Sequence, residues 1–139
     1  MKKLYLLRHA DAAPKGSKEK DSERALTEHG KMQAAEAAAE AKLKKFSFDV
    51  ILTSPYARAL ETARIFAAIY EMPGKVIEES LLACGCSVQA IRKILRRYQA
   101  CNSILCVGHE PDLGVIAAAL LGLDQARPFK KAECLEIDL

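Results

Sequence analysis

Ser103-Ile104-Leu105-Cys106-Val107 is a continuous apolar run of strand length that stops at Gly108-His109. A strand without polar alternation is buried on both faces, as in the centre of a parallel sheet covered by helices. Lys3-Leu4-Tyr5-Leu6-Leu7 has the same character and stops at Arg8-His9. Phe48 to Thr53 reads as another strand, Lys75 to Glu78 as a short one, and Glu133 to Leu139 alternates weakly enough to add a last. The stretches between them have helical period. Strands alternating with helices predict an α/β sandwich with a largely parallel sheet.

The first helix opens at Leu26-Thr27-Glu28-His29-Gly30, with Thr27 as N-cap and Glu28 at the positive end of the dipole. It is rich in Ala and is expected to run to about Lys45, with Met32, Ala35, Ala39 and Leu43 on one face and a Glu40–Lys44 pair on another. Gly30 is costly inside a helix, and a close backbone approach is one reason for it. A second helix is expected after Ser54-Pro55, with Ser54 as N-cap and Leu60, Ala63, Ala67 and Tyr70 as its buried stripe. Ser87 caps a third, whose apolar face is Val88, Ile91, Leu95 and Tyr98. Arg92, Lys93, Arg96 and Arg97 crowd its other side, as a solvated face or a docking surface for an acidic partner. Leu113 to Leu121 forms a fourth, ended by Gly122.

At 139 residues the chain is expected to be a single domain, 1–139, with one sizeable core. A net charge of +3 is too small to argue for nucleic acid. No apolar run reaches the length of a membrane span, and the run after Lys2-Lys3 is too short for a secretion signal. The expectation is a cytoplasmic protein with no nucleic-acid or membrane partner. Five cysteines are then reduced thiols; Cys84-Gly85-Cys86 is their one close pair and lacks the usual zinc or redox spacing. Asp11 to Arg24 reads as a loop, long enough to be functional, with Lys15 to Lys20 as a solvated, mobile stretch.

Three strand-to-helix junctions carry unusual side chains: Arg8-His9, Ser54-Pro55-Tyr56-Ala57-Arg58 and Gly108-His109. If the strands are parallel, all three share one sheet edge, where ligands of open α/β sheets bind. Two histidines, two arginines and the N–H groups of helix starts would converge there, a combination suited to a dianionic phosphoryl group. Taken alone, the first of these stretches reads more readily as a surface charge at Arg8 and a capped core histidine at His9.

Leu7-Arg8-His9-Ala10, Leu26-Thr27-Glu28-His29-Gly30, Ser54-Pro55-Tyr56-Ala57-Arg58-Ala59 and Gly108-His109-Glu110-Pro111 together resemble the histidine phosphatase superfamily. Short length and motif order are most similar to its SixA-like phosphohistidine phosphatases. The resemblance covers nearly the whole chain. It implies a three-layer α/β/α fold of the phosphoglycerate mutase-like type, His9 as nucleophile, a phosphate pocket of Arg8, Arg58 and His109, and no metal or organic cofactor. A phosphohistidine-bearing protein is then the expected partner and inorganic phosphate the product. Ala10 stands where many members have Gly.

His9 must be neutral to attack, and two nearby guanidinium groups would hold its pKa down. Larger members use a carboxylic acid to protonate the leaving group. Glu79, Asp11 and Glu110 are the candidates by chain order, and each reads equally as a helix-terminus or loop charge. The competing readings are a small-metabolite phosphatase or phosphomutase of the same superfamily, a non-catalytic phosphate- or phosphoprotein-binding module, and a metal-binding regulator using the cysteines.

Overall fold

The computed structural model describes residues 2–16 and 19–139. Ser17 and Lys18, within the stretch expected to be solvated and mobile, lie outside the described residues. The strands are β1 (Lys3–Arg8), β2 (Val50–Thr53), β3 (Val76–Glu78), β4 (Ser103–Gly108) and β5 (Cys134–Asp138). The helices are α1 (Glu28–Leu43), α2 (Ala57–Ile69), α3 (Val88–Arg97) and α4 (Asp112–Leu121). The sheet order is β3-β2-β4-β1-β5. β1, β2, β3 and β4 are parallel, and β5 pairs antiparallel with β1 along Lys3↔Asp138 to Leu7↔Cys134.

Burial follows from this order. All six residues of β4 and all four of β2 are buried, whereas the edge strands β3 and β5 are largely not. Along β1, Leu4 and Leu6 point to one face and pack with Ile91 and Ile94 of α3 and Leu113 and Ile116 of α4. Tyr5 and Leu7 point to the other and pack with Ala38 and Ala41 of α1 and Ala59, Ala63 and Phe66 of α2. The period of two along the strand thus builds the three layers. No helix among the described residues is long and apolar enough to cross a membrane.

Two helix faces differ from expectation. α1 buries Gly30, Ala34, Ala38 and Ala41, while Met32 is 64% and Leu43 85% exposed. The smallest residues face inward because α1 lies too close to its neighbours for larger ones: a Cβ on Gly30 would stand 2.0 Å from the Asp11 carbonyl oxygen. The close approach expected at Gly30 is therefore present. In α2 the buried residues are Arg58, Ala59, Thr62, Ala63, Phe66 and Ala67, rotated from the expected stripe. The inward face is the one that meets the sheet, where Ala59, Ala63, Phe66 and Ala67 pack with Tyr5, Leu7, Ile51 and Val107; the N-cap position is Tyr56, not Ser54, and the helix ends at Ile69. Elsewhere the caps match, with Thr27 accepting from Gly30 N, Ser87 from Ala90 N, and Gly122 left-handed at φ 71°. The Glu40–Lys44 pair forms at 3.0 Å.

Candidate active site

β2, β4 and β1 are neighbours and parallel, so their carboxyl ends bring Ser54, His109 and Arg8-His9 side by side. Arg58 reaches the same place from the first turn of α2. A cavity of about 230 Å³ at this edge is lined by Arg8, His9, Arg58 and His109, together with Ala12, Arg24, Cys84, Glu110 and Lys131. The His9 and His109 ring centroids are 5.4 Å apart.

Each ring and guanidinium is held. His9 Nδ1 lies 2.7 Å from the Ala10 carbonyl oxygen. A carbonyl only accepts, so Nδ1 carries the proton and Nε2 keeps its lone pair. Ala10 is itself anchored by its N–H donating to Thr62 Oγ1 at 3.1 Å, and that hydroxyl donates to the Arg58 carbonyl. His109 Nε2 is 2.8 Å from Ser54 Oγ, and the same oxygen accepts from Tyr56 N at 3.2 Å. Ser54 thus orients a site histidine instead of capping α2. The Tyr56 ring packs against both His109 and Arg58. Arg8 donates through one terminal nitrogen to the Phe129 carbonyl at 3.0 Å. Arg8 Nε, Arg58 Nε and His109 Nδ1 are buried and make no hydrogen bond among the described residues.

Burial pushes the His9 pKa down to about 4, with Arg58, Arg8 and Arg24 adding to the effect. The guanidinium groups act as expected in sign, but desolvation is the larger cause. Burial, then His9 and Arg58, lowers His109 to about 3. Both rings are neutral at neutral pH.

The sequence missed Arg24 and Asp21. Arg24 lines the cavity, and the Asp21 carboxylate accepts from Arg24 Nε at 2.9 Å and from Arg58 at 3.2 Å. Arg58 also donates to the Asp21 carbonyl at 2.8 Å. Burial alone would raise the Asp21 pKa, but the two guanidinium donors hold it below its usual value. The long Asp11–Arg24 loop therefore returns to the site, and its length was the one signal of this. Lys131 enters from the segment before β5 and pairs with Asp11 at 2.6 Å.

The three carboxylates expected as acids are placed differently from one another. Glu79 is 7% exposed, but it is not among the lining residues; it accepts from Leu81 N and pairs with Arg97 of α3. Asp11 is not among them either, and it binds Lys131 and the Thr27 hydroxyl. Glu110 does line the cavity, where one oxygen accepts from Gly114 N at 2.7 Å and the other from Phe129 N at 3.2 Å. The Phe129 carbonyl in turn accepts from Arg8, so Glu110 anchors the residue whose carbonyl holds Arg8. Among the described residues no group of three or more His, Cys, Asp or Glu is arranged to hold a metal ion.

Residues 4–83 match the histidine phosphatase superfamily (branch 1), and the chain belongs to that superfamily. An uncharacterized protein of Picosynechococcus is 35% identical over 119 residues, covering 84% of this chain and 72% of that one. Within the superfamily the chain is SixA-like. A protein assigned as the phosphohistidine phosphatase SixA of Agrobacterium tumefaciens superposes with a TM-score of 0.89 at 24% identity, over 99% of this chain and 91% of that one. The protein histidine phosphatase SixA in complex with tungstate superposes with a TM-score of 0.85 at 25% identity, over 96% and 86% of the two chains. Family membership and these neighbours support phosphatase activity.

Proposed function

We propose that the chain dephosphorylates phosphohistidine on a protein through a phosphoryl intermediate on His9. In this reading His9 Nε2 attacks phosphorus, the P–N bond to the substrate imidazole breaks, and the imidazole leaves with a proton taken from solvent. Water then attacks phospho-His9, releases inorganic phosphate and restores the neutral ring. Arg8, Arg58 and His109 stabilise the charge on the equatorial oxygens in both steps. With the Ser54 hydroxyl donating to His109 Nε2, the His109 ring proton sits on Nδ1 as a further donor. No cofactor takes part in this scheme. The tungstate bound by a SixA neighbour is an oxyanion of the kind this pocket would take.

One observation carries the choice of substrate. Glu110 is the one carboxylate among the described residues lining the cavity, and both its oxygens are committed to backbone N–H groups. An alkyl phosphate leaves as a basic alkoxide and needs a positioned acid, whereas a protonated imidazole leaves neutral. A site with no free acid therefore favours P–N over alkyl P–O cleavage.

The test is kcat/KM on a phosphohistidine peptide, p-nitrophenyl phosphate and a sugar phosphate. The expected order is phosphohistidine, then the aryl ester, then the sugar phosphate, with Glu79→Gln leaving that order unchanged. A sugar phosphate turned over best, and selectively lost in Glu79→Gln, would replace this reading with a metabolite phosphatase.

A further inference from the structure

Beside the cavity lies a second groove of about 360 Å³, lined by Ser80, Leu81, Ala83, Cys84, Gly85 and Cys86 and by Ser87, Gln89, Ala90 and Lys93 at the start of α3. Cys84 lines both, so the groove adjoins the candidate active site. Its far wall leads onto the outer face of α3, whose inner face buries Ile91 and Ile94. Arg92, Lys93 and Arg96 are exposed and form no ion pair among the described residues, while Arg97 is taken by Glu79. Between Glu79 and Glu110 the sequence has no acidic residue, and the carboxylate that reaches the groove from outside that stretch, Asp112, accepts from Gly85 N at 2.8 Å and forms no ion pair with α3 among the described residues. From Ser87 to Arg96 the helix rises about 13 Å, so the positive charge extends along α3 from the groove at its start. Solubility alone does not call for one sign of charge beside a site that already presents Arg24 and Lys131.

We propose that this groove and the Arg92–Lys93–Arg96 face dock an acidic surface next to the phosphohistidine of the substrate protein, selecting phosphohistidines by the charge of their surroundings. The inference rests on the reading of the site as a phosphohistidine phosphatase. Such rim charges act chiefly on encounter and on KM, and they weaken with salt over a Debye length of about 10 Å at 0.1 M.

Two synthetic peptides of equal length test it, each with one phosphohistidine, flanked by Asp and Glu in one and by Lys in the other. The parent should prefer the acidic peptide in kcat/KM by about tenfold at low salt, which corresponds to about 1.4 kcal/mol. The triple variant Arg92→Glu, Lys93→Glu, Arg96→Glu should lose most of that preference through KM, as should the parent at high salt. The milder triple Gln variant should fall between. Turnover of p-nitrophenyl phosphate, which occupies the cavity alone, reports that each variant is folded. The preference lost in the variants is the share owed to α3 and not to the cavity arginines. Equal rates on the two peptides, or a preference that survives both triple variants, would overturn the docking proposal and leave the enzymatic reading intact. Self-association of the parent that the substitutions abolish, with peptide preference unchanged, would assign the face to a second copy. Failure to hydrolyse either peptide while p-nitrophenyl phosphate is consumed would overturn the phosphohistidine reading itself.

Discussion

Replacing Gly30 by Ala should damage both stability and catalysis, although Ala is the better helix former. The added Cβ would stand 2.0 Å from Asp11 O, 2.9 Å from Asp11 C and 3.1 Å from Asp11 N. An ordinary carbon–oxygen approach is about 3.3–3.6 Å, so α1 and the Asp11 peptide must separate by roughly 1.3 Å or more. The joint between them is made by Thr27 N donating to Asp11 O at 3.0 Å and Asp11 N donating to Gln33 Oε1 at 2.9 Å. A shift of that size breaks both. Two lost hydrogen bonds cost about 1 kcal/mol each, overpacking adds about 1–3, and helix propensity returns about 1, for a net loss of about 2–4 kcal/mol. Asp11 is two residues from His9, and an ångström of misplacement at the nucleophile costs up to about a hundredfold in rate. Denaturant unfolding and steady-state turnover should therefore both show the defect. Gly74→Ala is the control, because its Cβ would meet nothing within 4 Å. A Gly30→Ala protein as stable as the parent, with the parent kcat, would refute the argument.

The pH dependence follows from the buried rings. The unfolded chain binds a proton at His9 near 6.5 and the folded one only near 4, so stability falls as pH drops between those values, by about 3 kcal/mol from His9 alone. In NMR titrations the His9 and His109 rings should stay neutral down to about pH 5; a His9 midpoint near 6.5 would contradict the burial argument. Arg58→Ala should lower kcat/KM about a hundredfold or more, and Arg58→Lys should recover little, since a point charge does not replace the planar fork. A loss under tenfold would remove Arg58 from the phosphate pocket.

Legibility differed residue by residue, for physical reasons. Arg8, His9 and His109 were readable because apolar runs stop just before them, and a parallel sheet puts such stops on one edge. Arg58 was readable through its place in the first turn of the helix after β2. Arg24 and Asp21 were not, because a loop without periodicity carries no sign of where it returns. The inward face of α1 was unreadable for a different reason: with Ala on nearly every side, hydrophobic period does not choose among faces, and the approach of Asp11 to Gly30 does. Glu79 looked available by chain order, and what claims it is Arg97, from the last turn of α3. Ser54 has the composition of a cap but the position of a histidine's partner, a distinction made only by the arrival of β4 beside β2.

In the proposed mechanism His9 carries the phosphoryl group on Nε2, because Nδ1 is tied to the Ala10 carbonyl. Rapid quench of the enzyme with 32P-labelled substrate, followed by peptide mapping and 31P NMR of the adduct, tests this directly. The expected product is an acid-labile, base-stable adduct on His9 alone, with phosphorus on Nε2, and none in His9→Ala. Label on another residue, phosphorus on Nδ1, or full turnover in His9→Ala would contradict it.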